Sequence, residues 1–195
     1  MPLAACSTNI VFAPTTCTVK PGGISQIYLF DSTLLDFTQA APVSGVTQPY
    51  TAITDLGTST KIYGVQFARM QAQYQATQKN ATGINAGYEH TLTFPVPDLS
   101  MLSTQWSILA DNQGYCCGIG LIIIFNSGRI FIMGESSVNG VGLAYPFYTW
   151  QDGSKADSGK KADDMNAYTA VIKGEYNRLL IEYTGTLASI IALKP

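Results

Sequence analysis

The sequence predicts a mainly β protein, a β-sandwich or partly closed barrel of about eight strands with a single α-helix at about 98–111. Three observations carry that expectation. Apolar residues alternate with polar ones at Met70, Ala72, Tyr74 and Ala76, and again at Tyr88, His90, Leu92 and Phe94, the period of a half-buried strand. Two apolar runs, Ile119–Phe125 and Arg129–Met133, flank Asn126-Ser127-Gly128, which is the pattern of a hairpin. Only 12% of the 195 residues are charged, against 46% hydrophobic. A lone domain usually carries about 25% charge, and interface cores are depleted in charge. The scarcity therefore points to surfaces meant to be covered by sister molecules.

The elements follow in order. A short strand is expected at Ile10–Phe12 and a turn at Pro21-Gly22-Gly23. Ile24–Phe30 is rich in β-formers. The stretch 31–60 carries Pro42, Gly45, Pro49 and Gly57 among scattered apolar residues. It is expected as a long inter-strand arm lying on a neighbouring subunit, or as a loop folded back over its own sheet. Lys61–Ala68 is a further strand candidate, and Asn80–Gly87 reads as a turn. Pro95-Val96-Pro97 is expected to stop the strand that begins at Tyr88. Asp98 then sits where an N-cap belongs, and Leu99, Leu102, Trp106 and Leu109 share one helical face up to Gly114. Trp106 is read as a core anchor.

The run Gly120–Phe125 has no polar face, which implies burial on both sides. Val141–Trp150 is read as a strand interrupted by Pro146, and 151–165 as an exposed, mobile polar loop. Ala167–Gly174, Leu179–Thr184 and Thr186–Leu193 are expected as the last strands of one β-rich domain spanning 1–195.

No catalytic, cofactor-binding or metal-binding residue stands out. His90 is the only histidine, so a Ser-His-Asp site would have to use it; its alternating strand marks it as a core or interface residue instead. Cys116 and Cys117 are adjacent, lack metal-ligand spacing and read as small buried hydrophobes, while Cys6 and Cys17 could close a short loop if oxidised. Asp157, Asp163 and Asp164 cluster without the spacing of a calcium loop.

With net charge −2 and Lys160-Lys161 as the one basic pair, sequence-independent DNA grip is not expected. No apolar run reaches the ~20 residues of a membrane span. Leu3-Ala4-Ala5-Cys6 fits a lipoprotein box, but only Met1 and Pro2 precede it, so the match is read as chance.

The order strand, helix, apolar hairpin, polar loop and strand resembles phage tail-tube proteins. It is carried by YEHTLTFPV (88–96), DLSMLSTQWSILAD (98–111) and GLIIIFNSGRIFIMG (120–134). The segment QDGSKADSGKKADDMNAYTAVIKGE (151–175) is also similar to virion proteins of gut phages. The resemblance covers roughly the last half of the chain and carries over no catalytic residue. It implies a non-enzymatic virion subunit, needing no cofactor, that stacks as homo-oligomeric rings into a tail tube. Its partners would be copies of itself, other virion proteins, and DNA passing through without specific binding. It would be assembled in the host cytoplasm and reside in the virion tail. The resemblance also makes 31–60 the inter-subunit loop. Another virion part (head, collar or decoration) and a glycan- or peptide-binding sandwich using Trp150, Tyr148 and Tyr145 are the alternatives.

Overall fold

Short apolar runs separated by turn residues become strands throughout. The computed structural model describes residues 22–41, 43, 47–57, 62–67, 71–81, 84–97, 119–143, 149–158 and 166–194. Within them lie β1 (Ile24–Asp31), β2 (Leu35–Gln39), β3 (Tyr50–Asp55), β4 (Tyr63–Gly64), β5 (Gln73–Ala81), β6 (Ile84–Pro97) and β7 (Ile119–Phe125). They are followed by β8 (Ile130–Met133), β9 (Ser137–Val138), β10 (Val141–Gly142), β11 (Thr149–Gln151), β12 (Lys155–Asp157), β13 (Ala167–Tyr176), β14 (Ile181–Tyr183) and helix α1 (Leu187–Ile191). The fold is mainly β, as expected. Six of the fourteen strands are two or three residues long, which leaves eight longer ones. The expected helix at 98–111 with Trp106, the strand at Ile10–Phe12 and the cysteines Cys6, Cys17, Cys116 and Cys117 lie outside the described residues.

Two sheets form. The larger has the order β10-β9-β2-β3-β14-β8-β7-β1-β4, and the smaller the order β11-β13-β6-β5 with β12 also on β13. Pairing is antiparallel except for β14 with β3 and β2 with β9. A tight turn joins β1 to β2, with the Leu34 N–H donating to the Asp31 carbonyl at 3.1 Å. Yet five strand spacings separate the two in the sheet. A flat sheet would hold them about 24 Å apart, whereas four chain steps reach only about 14 Å. The larger sheet must therefore roll, and Phe30 meets Phe37 with ring centroids 5.6 Å apart. No ladder joins β1 to β2 among the described residues, so the roll stays open.

β7 is buried on both faces. Ile119, Leu121 and Ile123 pack with Leu92, Phe94, Ala170 and Ile172 of the smaller sheet, which gives the sandwich core. Ile122 and Ile124 face into the roll with Phe30, Phe37, Tyr50, Ile132 and Tyr183. Ile190 of α1 is fully buried in that second cluster. Gly120 stands on the roll face with Ile122 and Ile124, directly opposite Phe30 of β1, and a Cβ there would clash with the Phe30 ring.

Several expectations need correction. The described part of 31–60 is not an arm: β2 and β3 are an antiparallel pair inside the larger sheet. Their Phe37 and Tyr50 are fully buried. Within the strand candidate Lys61–Ala68, only Tyr63–Gly64 is a strand among the described residues 62–67. Asn80–Gly87 is not one turn, because β5 runs to Ala81 and β6 resumes at Ile84. Val141–Trp150 divides between the sheets, with β10 in the larger and β11 in the smaller. The stretch 151–165 contains β12, although its described residues are mostly exposed, as expected.

Pro95 and Pro97 do not stop β6, because β5 reaches only as far as Thr93 and, among the described residues, nothing pairs with that side of β6 beyond it. A missing N–H costs nothing there. Thr186–Leu193 is helical: the Thr186 hydroxyl accepts the Ser189 N–H at 3.2 Å, an N-cap that redirects a short apolar run.

Gly120→Ala is expected to lower unfolding stability by about 1–3 kcal/mol through overpacking against Phe30, read by denaturant melts. No change would mean that the two faces of β7 are looser than described.

Candidate functional site

The sheet edges come first, because an unpaired edge is a template for another chain. Among the described residues the larger sheet ends in β10 and β4, each two residues long. Edges that short offer little to pair with.

The β11–β12 edge is broken by a bulge. Its register against β13 moves by one residue between Gln151↔Ile172 and Lys155↔Thr169. Gly153 takes φ +82 there, and the Ser154 hydroxyl, rather than a carbonyl, accepts the Val171 N–H at 2.9 Å. The remaining edge, β5, spans nine residues and, among the described residues, pairs only with β6. It carries no proline, and its one charge, Lys79, bonds Glu175 and, at 3.2 Å, Glu89 across the sheet face. Short strands and bulges blunt three edges, while β5 keeps a regular ladder over Gln73–Lys79 and shifts register only between Lys79 and Asn80, near its end.

The outer face of the smaller sheet is polar and charge-compensated. Register aligns Gln75, Thr91, Lys173 and Trp150 in one row across four strands. Lys173 is paired with Asp152 at 2.7 Å, and Trp150 is 36% exposed. Of the aromatic residues read as a stacking platform, Tyr145 and Tyr148 lie outside the described residues.

Behind β5 lies a buried polar node. His90 is fully buried. Its Nε2 lies 2.9 Å from the Arg178 carbonyl, an acceptor only, so Nε2 carries the proton. Nδ1 then accepts the Tyr74 hydroxyl proton at 2.7 Å. Burial pushes the His90 pKa down, and the bond to the Arg178 carbonyl opposes this.

The Arg178 guanidinium reaches the other way, to Glu135 Oε1 at 2.7 Å and Tyr50 Oη at 3.1 Å. The Tyr50 hydroxyl donates to Glu135 Oε1 at 3.0 Å. Glu135 is 2% exposed, and its Oε2 and the Arg178 Nε have no hydrogen-bond partner. Burial raises the Glu135 pKa, although Arg178 pulls it down. Burial raises the Tyr50 pKa strongly, with Glu135 adding to it. The cluster ties the starts of β3 and of the β8–β9 link to the β13–β14 link. It is built as a clasp between elements. Among the described residues no group of His, Cys, Asp and Glu could hold a metal ion.

His90 is thus a core residue, as its alternation suggested. Glu135 and Arg178 escaped sequence reasoning, because the pair is 43 residues apart with no periodic signal. The available clue was a rare charge, Glu135, directly after the apolar β8.

No protein-family model, curated protein or solved structure matches the chain. Any function must therefore be argued from this geometry. Among the described residues no helix is long and apolar enough to cross a membrane.

Arg178→Met is expected to destabilise the fold by about 3–5 kcal/mol, because it leaves a buried carboxylate unpaired. Adding Glu135→Leu should recover at least half of that loss. A double variant no better than the single one would contradict the clasp.

Proposed function

We propose that the chain is a virion structural subunit that self-assembles edge to edge into stacked rings forming a tail tube for DNA passage. The observation that carries this reading is β5, a nine-residue edge whose ladder runs regularly over Gln73–Lys79 before its one register shift. A sheet whose strands alternate in direction continues without interruption when a second copy adds a strand there. Each inter-strand bond then satisfies a main-chain group that water would otherwise hold. The shortage of charge across the whole chain fits the same reading, since neutral Gln and Thr side chains are cheaper to desolvate than ions.

Passage of DNA requires that phosphates are not gripped. Net charge is −2, and Lys79, Arg129, Lys173 and Arg178 are each engaged by a carboxylate. The chain contributes no chemistry in this role, and its partners are copies of itself and adjoining virion proteins.

A second reading has one observation in its favour. Trp150 is half-exposed beside the Lys173–Thr91–Gln75 row, and an indole flanked by amide and hydroxyl groups suits a sugar. A glycan array with hits that vanish in Trp150→Ala would favour it over the structural role. An array without hits would remove it.

The assembly reading predicts concentration-dependent rings or tubes in sedimentation and negative-stain images. Gln75→Lys combined with Thr77→Lys should abolish them by charging the edge, while changing stability by no more than about 1 kcal/mol, as exposed substitutions do. A charged-edge variant that still forms rings would overturn pairing through β5. Wild-type protein that stays monomeric at every concentration would overturn the assembly itself.

A further inference from the structure

We infer that Tyr74, His90 and Arg178 form a proton-sensitive latch that holds the edge strand β5 closed, so that mild acid releases the strand. The regulatory consequence, that acid undoes assembly, rests on the edge-pairing reading above; the latch itself does not.

The geometry sets the terms. β5 is bound on one side only, to β6. Tyr74 is half-buried on its inner face, where its ring meets His90 in a stacked arrangement at 6.0 Å and Phe125 edge-on at 6.3 Å. Its hydroxyl is bonded to His90 Nδ1 at 2.7 Å, and His90 Nε2 is bonded to the Arg178 carbonyl at 2.9 Å. Both ring nitrogens are therefore bonded, and in the neutral Nε2–H tautomer Nδ1 accepts the Tyr74 hydroxyl proton. A proton on Nδ1 makes the Tyr74 hydroxyl turn from donor to acceptor. It also places a charge in a fully buried position.

Several titratable and charged groups surround the ring. Tyr74 reaches it from β5, and Tyr88 of β6 has its ring centroid 6.3 Å away. From β13 the directly paired residue is Gly174, which has no side chain. Tyr176 further along β13 lies under the Arg178 guanidinium at 4.8 Å. That guanidinium is spent on Glu135 and Tyr50. Glu89, with its partner Lys79, lies on the opposite face, because neighbours along a strand alternate. The ring is thus enclosed by aromatic side chains, and a charge placed on it is cut off from water.

Protonation is therefore relieved by exposing the ring. The smallest opening that does so is to peel β5, which the sheet holds by one ladder, rather than β6, which it holds by two. The sign follows from linkage: the burial-lowered His90 takes up its proton in the open form first. Closure is thus fully favoured above about pH 6.5 and weakens as pH falls below it.

The test is hydrogen exchange of the full chain, following peptides that cover Gln73–Ala81, with rates normalised to those of an unfolded chain. Between pH about 7.5 and about 5.5, an open form with an ordinary histidine predicts a loss of β5 protection of up to about tenfold. β7 should keep its protection over the same range. His90→Gln should flatten the response. Tyr74→Phe removes the hydroxyl donor to Nδ1 that favours the neutral ring, so it should bring the closed-form pKa back towards the ordinary value and shrink the acid response; it serves alone if His90→Gln does not fold. Pairing of copies, read by sedimentation, should weaken over the same range in wild type and persist in His90→Gln. A β5 protection that ignores pH, an equal loss in His90→Gln, or simultaneous opening of β7 would overturn the latch. Protein that is monomeric at neutral pH while β5 still opens with acid would sink the assembly reading and leave the latch standing.

Discussion

One strand without a polar face dictates the architecture. Ile119–Phe125 has no side that can be given to water, so the chain must cover it twice. On one side it lays the smaller sheet; on the other it rolls the larger sheet and closes the end with a single turn of helix around Ile190. At ~25 cal/mol per Å2 of apolar surface, each fully buried Ile or Leu is worth about 1.5–3 kcal/mol. Five such residues in β7 therefore outweigh the cost of bending the sheet. Gly120 makes room on the roll side of β7 for the ring of Phe30, its partner across the β1–β7 ladder. The edges left by this arrangement are a consequence of it, since a sheet spent on wrapping one strand cannot also close on itself.

The polar groups that are buried serve the same end. Asp36 sits within β2 with its carboxylate taking the Ser137 hydroxyl at 2.6 Å and the Gly140 N–H at 2.9 Å. It thereby holds the β9–β10 hairpin over the outer strand. The Thr149 hydroxyl accepts the Ile119 N–H at 3.1 Å, so the smaller sheet satisfies the first backbone donor of β7. The Glu135–Arg178–Tyr50 clasp closes the far end of the roll, and the Arg178 carbonyl reaches His90 in the smaller sheet. A buried ion pair adds little stability over an apolar replacement. Its value here is in fixing which link lies against which.

Legibility in the sequence followed how many faces a segment buries. Tyr88–Phe94 and Ala167–Gly174 alternate because one face of the smaller sheet is wet, and both were read correctly. The Asn126-Ser127-Gly128 hairpin was legible from its turn residues. β2 was not, because Leu35, Asp36 and Phe37 are buried in succession and leave no period to detect. The Asn139-Gly140 turn, with φ 55 and 73, was present as a dipeptide signal and was overlooked. α1 reads as a strand by composition, and only the Thr186 cap decides otherwise. The open edge at β5 could not be read at all, since whether a strand is central or terminal depends on pairings far along the chain. What the sequence did supply was the scarcity of charge, which gives that edge its meaning.

The central claim is that a second copy of this chain occupies the free side of β5. Amide exchange along Gln73–Ala81, compared between dilute protein and protein concentrated enough to associate, addresses it directly. The account predicts that the outward-facing N–H groups of β5 exchange freely when dilute and become protected on association. An associated particle in which those amides exchange as fast as in the monomer would contradict it.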